Sequence, residues 1–257
     1  MVSSSLAGGL GNQLFQIAAG YSLAIDNNVD FVCYLEEDKD KWPHSHHAHR
    51  DDTPAALKDS IYRKIKRNSV PIEANYFEHP PPYQKIQYKP GTCLGGHFQT
   101  EQYFAHNREK ILELFQISAE EQQYIESKYD LKSEETVSLH VRRGDRVHVS
   151  TQTGCSFDYY KRAIELFDKE KIFVFSDDIE WCRMLAYSRP GIKDRFVFVE
   201  GEKPQIDLYM MSMCTHNIIC HSTFSWWGAW LNDNPNKQVI APQPAEVHTY
   251  PDQWKTI

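Results

Sequence analysis

The sequence predicts an α/β protein of two lobes, the second of them Rossmann-like, and three observations carry that prediction. The chain opens with Val2 to Leu6, then Gly8-Gly9-Leu10-Gly11, then NQLFQIAAGYSLAIDN with apolar residues at helical intervals, which reads strand, glycine turn, helix. After Lys132 short apolar runs alternate with helical stretches over short connections, the pattern of a parallel sheet covered on both faces. A length of 257 residues accommodates two lobes that each bury a core.

In the first lobe, FVCYL at 31–35 follows the opening unit as a second strand. The polar run EEDKDKWPHSHHAHRDDTP then reads as a long surface loop. Prolines, tyrosines and glycines fill 60–100 without a regular period, and helical patterns cover 101–115 and 118–129. The polar segment DLKSEE sets the boundary near 130–134, dividing the chain into 1–132 and 133–257. In the second lobe the strands are 135–141, 171–176 (KIFVFS), 195–199 (RFVFV), 216–220 (HNIIC) and 237–241. Between them lie helices at 156–168, 178–187, 205–213 and 224–232. No internal repeat is visible.

Bulk properties exclude several function classes. The formal charge of −7 argues against a broad electrostatic grip on nucleic acid, so an anion must be held by a local cationic site. Six cysteines (Cys33, Cys93, Cys155, Cys182, Cys214, Cys220) occur without a C-x-x-C pair, against a zinc knuckle or disulfide framework and in keeping with a reducing, cytoplasmic setting. No apolar run is long enough to span a membrane, and no signal-like segment opens the chain.

Ligands of open α/β sheets lie outside the carboxyl ends of the strands, and three polar motifs map to that edge of the second lobe. HVRRGD places Arg142 and Arg143 at a strand end, where a guanidinium fork matches two phosphate oxygens; the alternative is an ion pair of one arginine with Asp145. Ser222, Thr223 and Ser225 precede or open the helix carrying WWGAW, and a helix start binds phosphate; the alternative is simple N-capping over a tryptophan core. Asp177 and Asp178 suit ribose hydroxyls or a guanine edge, or else cap the next helix. In the first lobe Gly9-Leu10-Gly11-Asn12 resembles half of a dinucleotide fingerprint, but Leu14 stands where the third glycine belongs. That disfavours an NAD-dependent oxidoreductase and leaves a tight loop whose backbone and Asn12 amide approach a ligand. Asp38-Lys39-Asp40 sits in an alternating charge run and reads as a solvated loop. His44, His46, His47 and His49 lack the spacing of a metal site, so no metal ligands are assigned.

Taken together, GGLGNQLFQIA, GHFQTEQYF, HVRRGD, FVFSDD and STFSWWGAWL resemble, in order and spacing, the α-1,2-fucosyltransferases of glycosyltransferase family 11, over about residues 5 to 241. The resemblance implies a GT-B architecture: two Rossmann-like lobes with parallel sheets and a cleft between them. It implies a GDP-β-L-fucose donor in the carboxyl-terminal lobe, a glycan acceptor on the amino-terminal side, inversion to an α-linkage at O2 of galactose, and no required metal or other cofactor. Carried over by position, Arg142 grips the donor diphosphate with Arg143 in support. His140 and Asp178 contact guanosine, and Ser222, Thr223 and Ser225 close on the phosphates. Gly9, Gly11 and Asn12 form the loop facing donor and acceptor. An inverting attack also needs a proton acceptor. The segment RVHVSTQTG lacks the carboxylate found in the α-1,6 relatives, which leaves Asp145 as the candidate, with His148 nearby. His221 stands where the family usually has asparagine. Two rivals remain: a transferase of another nucleotide deoxysugar, and a non-catalytic nucleotide- or glycan-binding module.

Overall fold

The computed structural model describes residues 1–34, 60–66, 72–78, 83–144, 155–189, 191–243 and 249–257. They form two compact units, Met1–Ser118 and Ala119–Ile257, each built on its own all-parallel sheet.

In the first unit β1 (Val2–Ser5), β2 (Phe31–Tyr34), β3 (Ala74–Phe77) and β4 (Thr92–Gly95) lie in the order β2-β1-β4-β3. Helix α1 (Leu10–Asp26) buries every residue from Leu10 to Ala24 except Asn12 and Tyr21. A helix apolar around most of its circumference is an interior one, and Gly20 permits the close approach. A Cβ there would stand 2.3 Å from Ser4 Oγ and 2.5 Å from the Phe31 ring.

The helix expected over 101–115 is broken. Two 3-10 turns, Glu101–Tyr103 and Ala105–Asn107, precede α2 (Arg108–Leu114). The cause lies at Phe104, whose φ of −147° leaves the helical region and whose ring buries against Phe15 at 5.9 Å.

In the second unit β5 (Thr136–Val141), β6 (Lys171–Ser176), β7 (Phe196–Phe198), β8 (His216–Ile218), β9 (Val239–Ala241) and β10 (Lys255–Thr256) lie in the order β10-β9-β8-β5-β6-β7. The helices are α3 (Ala119–Lys128), α4 (Phe157–Ile164), α5 (Ile179–Tyr187), α6 (Pro204–Met213) and α7 (Thr223–Leu231).

Side chains alternate across the strands. Val137, Leu139, Val141, Ile172 and Val174 share a core with Tyr159, Tyr160 and Ile164 of α4 and Leu185 of α5. On the other face Ser138 meets Asn217 and Phe173 meets Tyr129. Both faces are therefore covered, which explains continuous rather than alternating apolar runs.

Helix α3 belongs to the second compact unit. It packs on α6, and Tyr124, Lys128 and Tyr129 all bond the Glu202 carboxylate. Helices α6 and α7 touch closely, because a Cβ on Gly228 would reach 2.8 Å from Met211 Cβ. Trp226, Trp227 and Trp230 of α7 form an aromatic cluster with Trp254, ring centroids 5.2 to 6.2 Å apart.

Candidate functional site

Strand order locates the site in each unit. In the second, the chain runs outward from β5 to β6 and β7, then returns to lay β8, β9 and β10 on the other side of β5. The loops after β5 and β8 thus diverge at the carboxyl edge, which opens a crevice at this switch point. Arg142, Arg143 and Gly144 follow β5, while His221 and Ser222 stand before α7. His140 and Cys220 span the gap, Nδ1 to Sγ 3.1 Å.

The two arginines are held differently. Arg143 Nε donates to Asp178 Oδ2 at 3.0 Å, and its guanidinium lies 4.6 Å over the Trp181 ring. The other Asp178 oxygen accepts from Trp181 N at 3.1 Å and caps α5. Asp178 therefore fills its capping reading and adds another role, as the ion-pair partner of Arg143. That bond first, and the cap second, hold its carboxyl below the usual range.

Asp177 grips the loop backbone: its two oxygens accept Arg143 N at 2.8 Å and Gly144 N at 3.0 Å. Position 144 must stay small, since a Cβ would stand 2.8 Å from Asp177 Oδ2. Arg142 is half-buried. His140 is 8% exposed, and burial together with the Arg142 charge pushes its pKa down to about 3. The imidazole is neutral at working pH, a hydrogen-bonding group beside a cation.

Ser222 caps α7, accepting Phe224 N at 3.3 Å. Ser225 is buried and donates to the Ser222 carbonyl at 3.3 Å, which knits the turn. Thr223 is half-buried at the first position of α7. His221 Nδ1 lies 3.5 Å from the Tyr250 hydroxyl.

In the first unit the switch point falls between β1 and β4, and Asn12 Oδ1 accepts from Gln99 Nε2 across it at 3.0 Å. Gly9 is the N-cap of α1 with an ordinary φ of −74°, and Gly11 is buried in the helix. The left-handed residue is Gly8, φ +77°, where a Cβ would meet Asn12 Nδ2 at 2.6 Å.

Two buried glutamines complete this loop. Gln13 Nε2 donates to the Gly8 carbonyl at 2.7 Å, and the Gln16 amide both accepts from Ala7 N (2.8 Å) and donates to Ala7 O (3.2 Å). Gln13 and Gln16 were missed by sequence reasoning, Gly8 was read only as part of the glycine turn, and Asp177 was read as a ribose, guanine or cap residue and not as the clasp on the Arg143–Gly144 backbone. A buried polar pair at i and i+3 in an apolar helix was the available signal for the glutamines.

Asp145 and His148 lie outside the described residues, as do Asp38–Asp40 and His44–His49. Among the described residues Glu135, Glu170 and His216 bring donor atoms within 4.8 Å of one another, at the amino edge of the sheet. His216 Nδ1 accepts Gln238 N at 3.0 Å, so the neutral ring carries its proton on Nε2. A metal-bound histidine shows the reverse, with its second nitrogen donating. No helix among the described residues is long and apolar enough to cross a membrane.

Comparisons with known proteins agree with this geometry. The family model described as glycosyl transferase family 11 matches residues 1–255. The O-antigen biosynthesis glycosyltransferase WbnK of Escherichia coli is 34% identical, over 93% of each chain. An alpha-1,2-colitosyltransferase of Escherichia coli is 31% identical over 100% of this chain and 99% of the relative. The crystal structure of NodZ alpha-1,6-fucosyltransferase soaked with GDP-fucose superposes with a TM-score of 0.54, at 15% identity over 90% of this chain and 91% of NodZ. The fold is GT-B, and a non-catalytic module gives way to a catalyst. Two parallel-sheet lobes, an arginine pair at the β5 end and relatives matched over 93% and 99% of their length have one account: the chain belongs to glycosyltransferase family 11 and is an enzyme that transfers a sugar.

Proposed function

We propose that the enzyme moves L-fucose from GDP-β-L-fucose to O2 of a galactose in a glycan acceptor, with inversion to an α-linkage. The observation that carries the reading is the β5–β8 switch point, where Arg142 adjoins a neutral His140 whose ring lies 5.5 Å from Phe224 in the first turn of α7. The acceptor oxygen attacks the anomeric carbon as the carbon–oxygen bond to the diphosphate breaks, and negative charge grows on GDP. The Arg142 guanidinium, with Ser222 and Thr223 at the helix start, meets that charge more strongly in the transition state than in the ground state. It takes the part a divalent metal plays elsewhere.

Arg143, fixed by Asp178 and Trp181, positions its neighbour, and Asp178 and His140 border the guanosine. Ser225 stiffens the turn. Gly9, Gly11 and Asn12 shape the acceptor side, and Asp145 takes the acceptor proton. The likeness to a colitosyltransferase favours a second reading in which another GDP-linked deoxysugar is the donor.

A panel of galactosides with GDP-fucose and competing GDP-sugars, followed by linkage analysis, separates the two. An α-1,2-fucosylated product is expected, and any other linkage or donor refutes the reading. Arg142→Ala should lower turnover on the order of a hundredfold, as loss of an oxyanion donor does. Wild-type turnover in that variant removes the arginine from the mechanism.

A further inference from the structure

The amino-terminal unit carries an aromatic surface that the reaction as proposed does not yet use. Phe77 ends β3 with 70% of its surface exposed, and its ring lies across the backbone of Gly95, its register partner on β4. A Cβ at Gly95 would stand 2.9 Å from Phe77 Cδ1 and 3.0 Å from Cε1, so the glycine makes room for that edge of the ring at the strand end, while most of the ring stays exposed. Next to it the chain turns through two left-handed residues, Gly96 at φ +144° and Phe98 at φ +53°. Such a conformation costs a non-glycine residue about 1–2 kcal/mol, and strain of this kind clusters at ligand sites.

It is held from β3. Glu78 Oε2 accepts His97 N at 2.8 Å and Phe98 N at 2.6 Å, and the Phe98 ring is fully buried, packed edge-on to Tyr103. The turn thereby exposes His97 and delivers Gln99 to Asn12 at the β1–β4 switch point. The described residues of these strand ends, 5–12, 77–78 and 95–101, include no lysine or arginine. Their chemistry is an aromatic face with amides, an imidazole and two carboxylates, Glu78 and Glu101, which suits a neutral polyhydroxylated ring and not a phosphate.

We infer that Phe77 is the platform on which a pyranose of the acceptor lays its apolar C–H face, with His97 and Gln99 at the hydroxyls, and that Glu78 positions the platform's neighbouring turn. This rests on the reading of the protein as a galactoside-modifying transferase and adds the residue that seats the acceptor.

The test uses the whole chain with GDP present and saturation-transfer NMR on methyl β-galactoside and lactose, which needs no donor sugar and so stands apart from the identity of that sugar. Wild type should show transfer to the C–H protons of one pyranose face. Phe77→Ala should weaken binding about tenfold, the scale of one lost aromatic contact, with GDP affinity and melting temperature unchanged, and Phe77→Trp should restore it. Equal transfer in wild type and Phe77→Ala, or none from either sugar in wild type, overturns the platform. GDP-fucose turnover by wild type, measured separately, shows whether the donor reading stands or falls with it.

Discussion

Asp177 offers a direct way to ask whether the arginine loop must be held still. Its carboxylate clasps the backbone N–H groups of Arg143 and Gly144 at 2.8 and 3.0 Å. Hydrogen bonds to a charged acceptor contribute about 1.5–3 kcal/mol each; Asp177 is exposed, so solvent reduces each to about 1 kcal/mol. Asp177→Ala removes both, a loss of about 2 kcal/mol in loop preorganisation, which corresponds to roughly thirtyfold in kcat/KM. Asp177→Asn keeps one acceptor and should fall between. The assay is GDP release at subsaturating donor, with the melting temperature as a check on folding. Because Arg142 and Asp178 are untouched, a variant that folds normally and keeps wild-type kcat/KM would refute the claim that the clasp orients the arginine.

Asn217, fully buried, donates to Ser138 Oγ and the Met211 carbonyl at 2.7 Å each and accepts from Asn232 at 2.9 Å. Asn217→Leu should orphan the Met211 carbonyl and an Asn232 N–H and cost about 3 kcal/mol in urea unfolding. Asp207 has its pKa raised from 3.8 to about 7, first by burial and then by Glu202. The protonated form is favoured in the fold, so its contribution is full below the unfolded value and is lost as pH rises through about 7. Asp207→Asn should therefore raise the melting temperature relative to wild type at pH 8 and little at pH 4. Gly8→Ala forces a side chain into φ +77° against Asn12. It should cost about 1–2 kcal/mol in thermal unfolding and weaken galactoside binding in the same variant.

Strands β5, β6, β8 and β9 were legible because a strand buried on both faces carries adjacent apolar residues without alternation, as in the IFVF of KIFVFS. Strands β3 and β4 were not. ANYF is a half-exposed edge and TCLG is four residues ending in glycine, so neither shows an apolar run or a period. The break at Phe104 was hidden for a different reason, since a buried aromatic fits a helical spacing as well as an inward turn.

At the site, residue type and position at a strand end pointed to Arg142, Arg143 and Ser222. What the sequence cannot carry is pairing between distant segments. Arg143 meets Asp178, thirty-five positions away, while Asp145 stands two positions on in the chain. Gly8 was passed over for Gly9 because a run of glycines conceals which one bears the left-handed conformation.

The tryptophan cluster has a practical consequence. Of the six tryptophans, Trp181, Trp226, Trp227, Trp230 and Trp254 belong to the carboxyl-terminal unit, and Trp42 lies outside the described residues. Intrinsic emission and near-ultraviolet dichroism therefore report chiefly on one half of the molecule. Denaturation followed by tryptophan emission alone would weight the half carrying the nucleotide motifs over the other, so a second, backbone-sensitive probe is required to see whether both melt together.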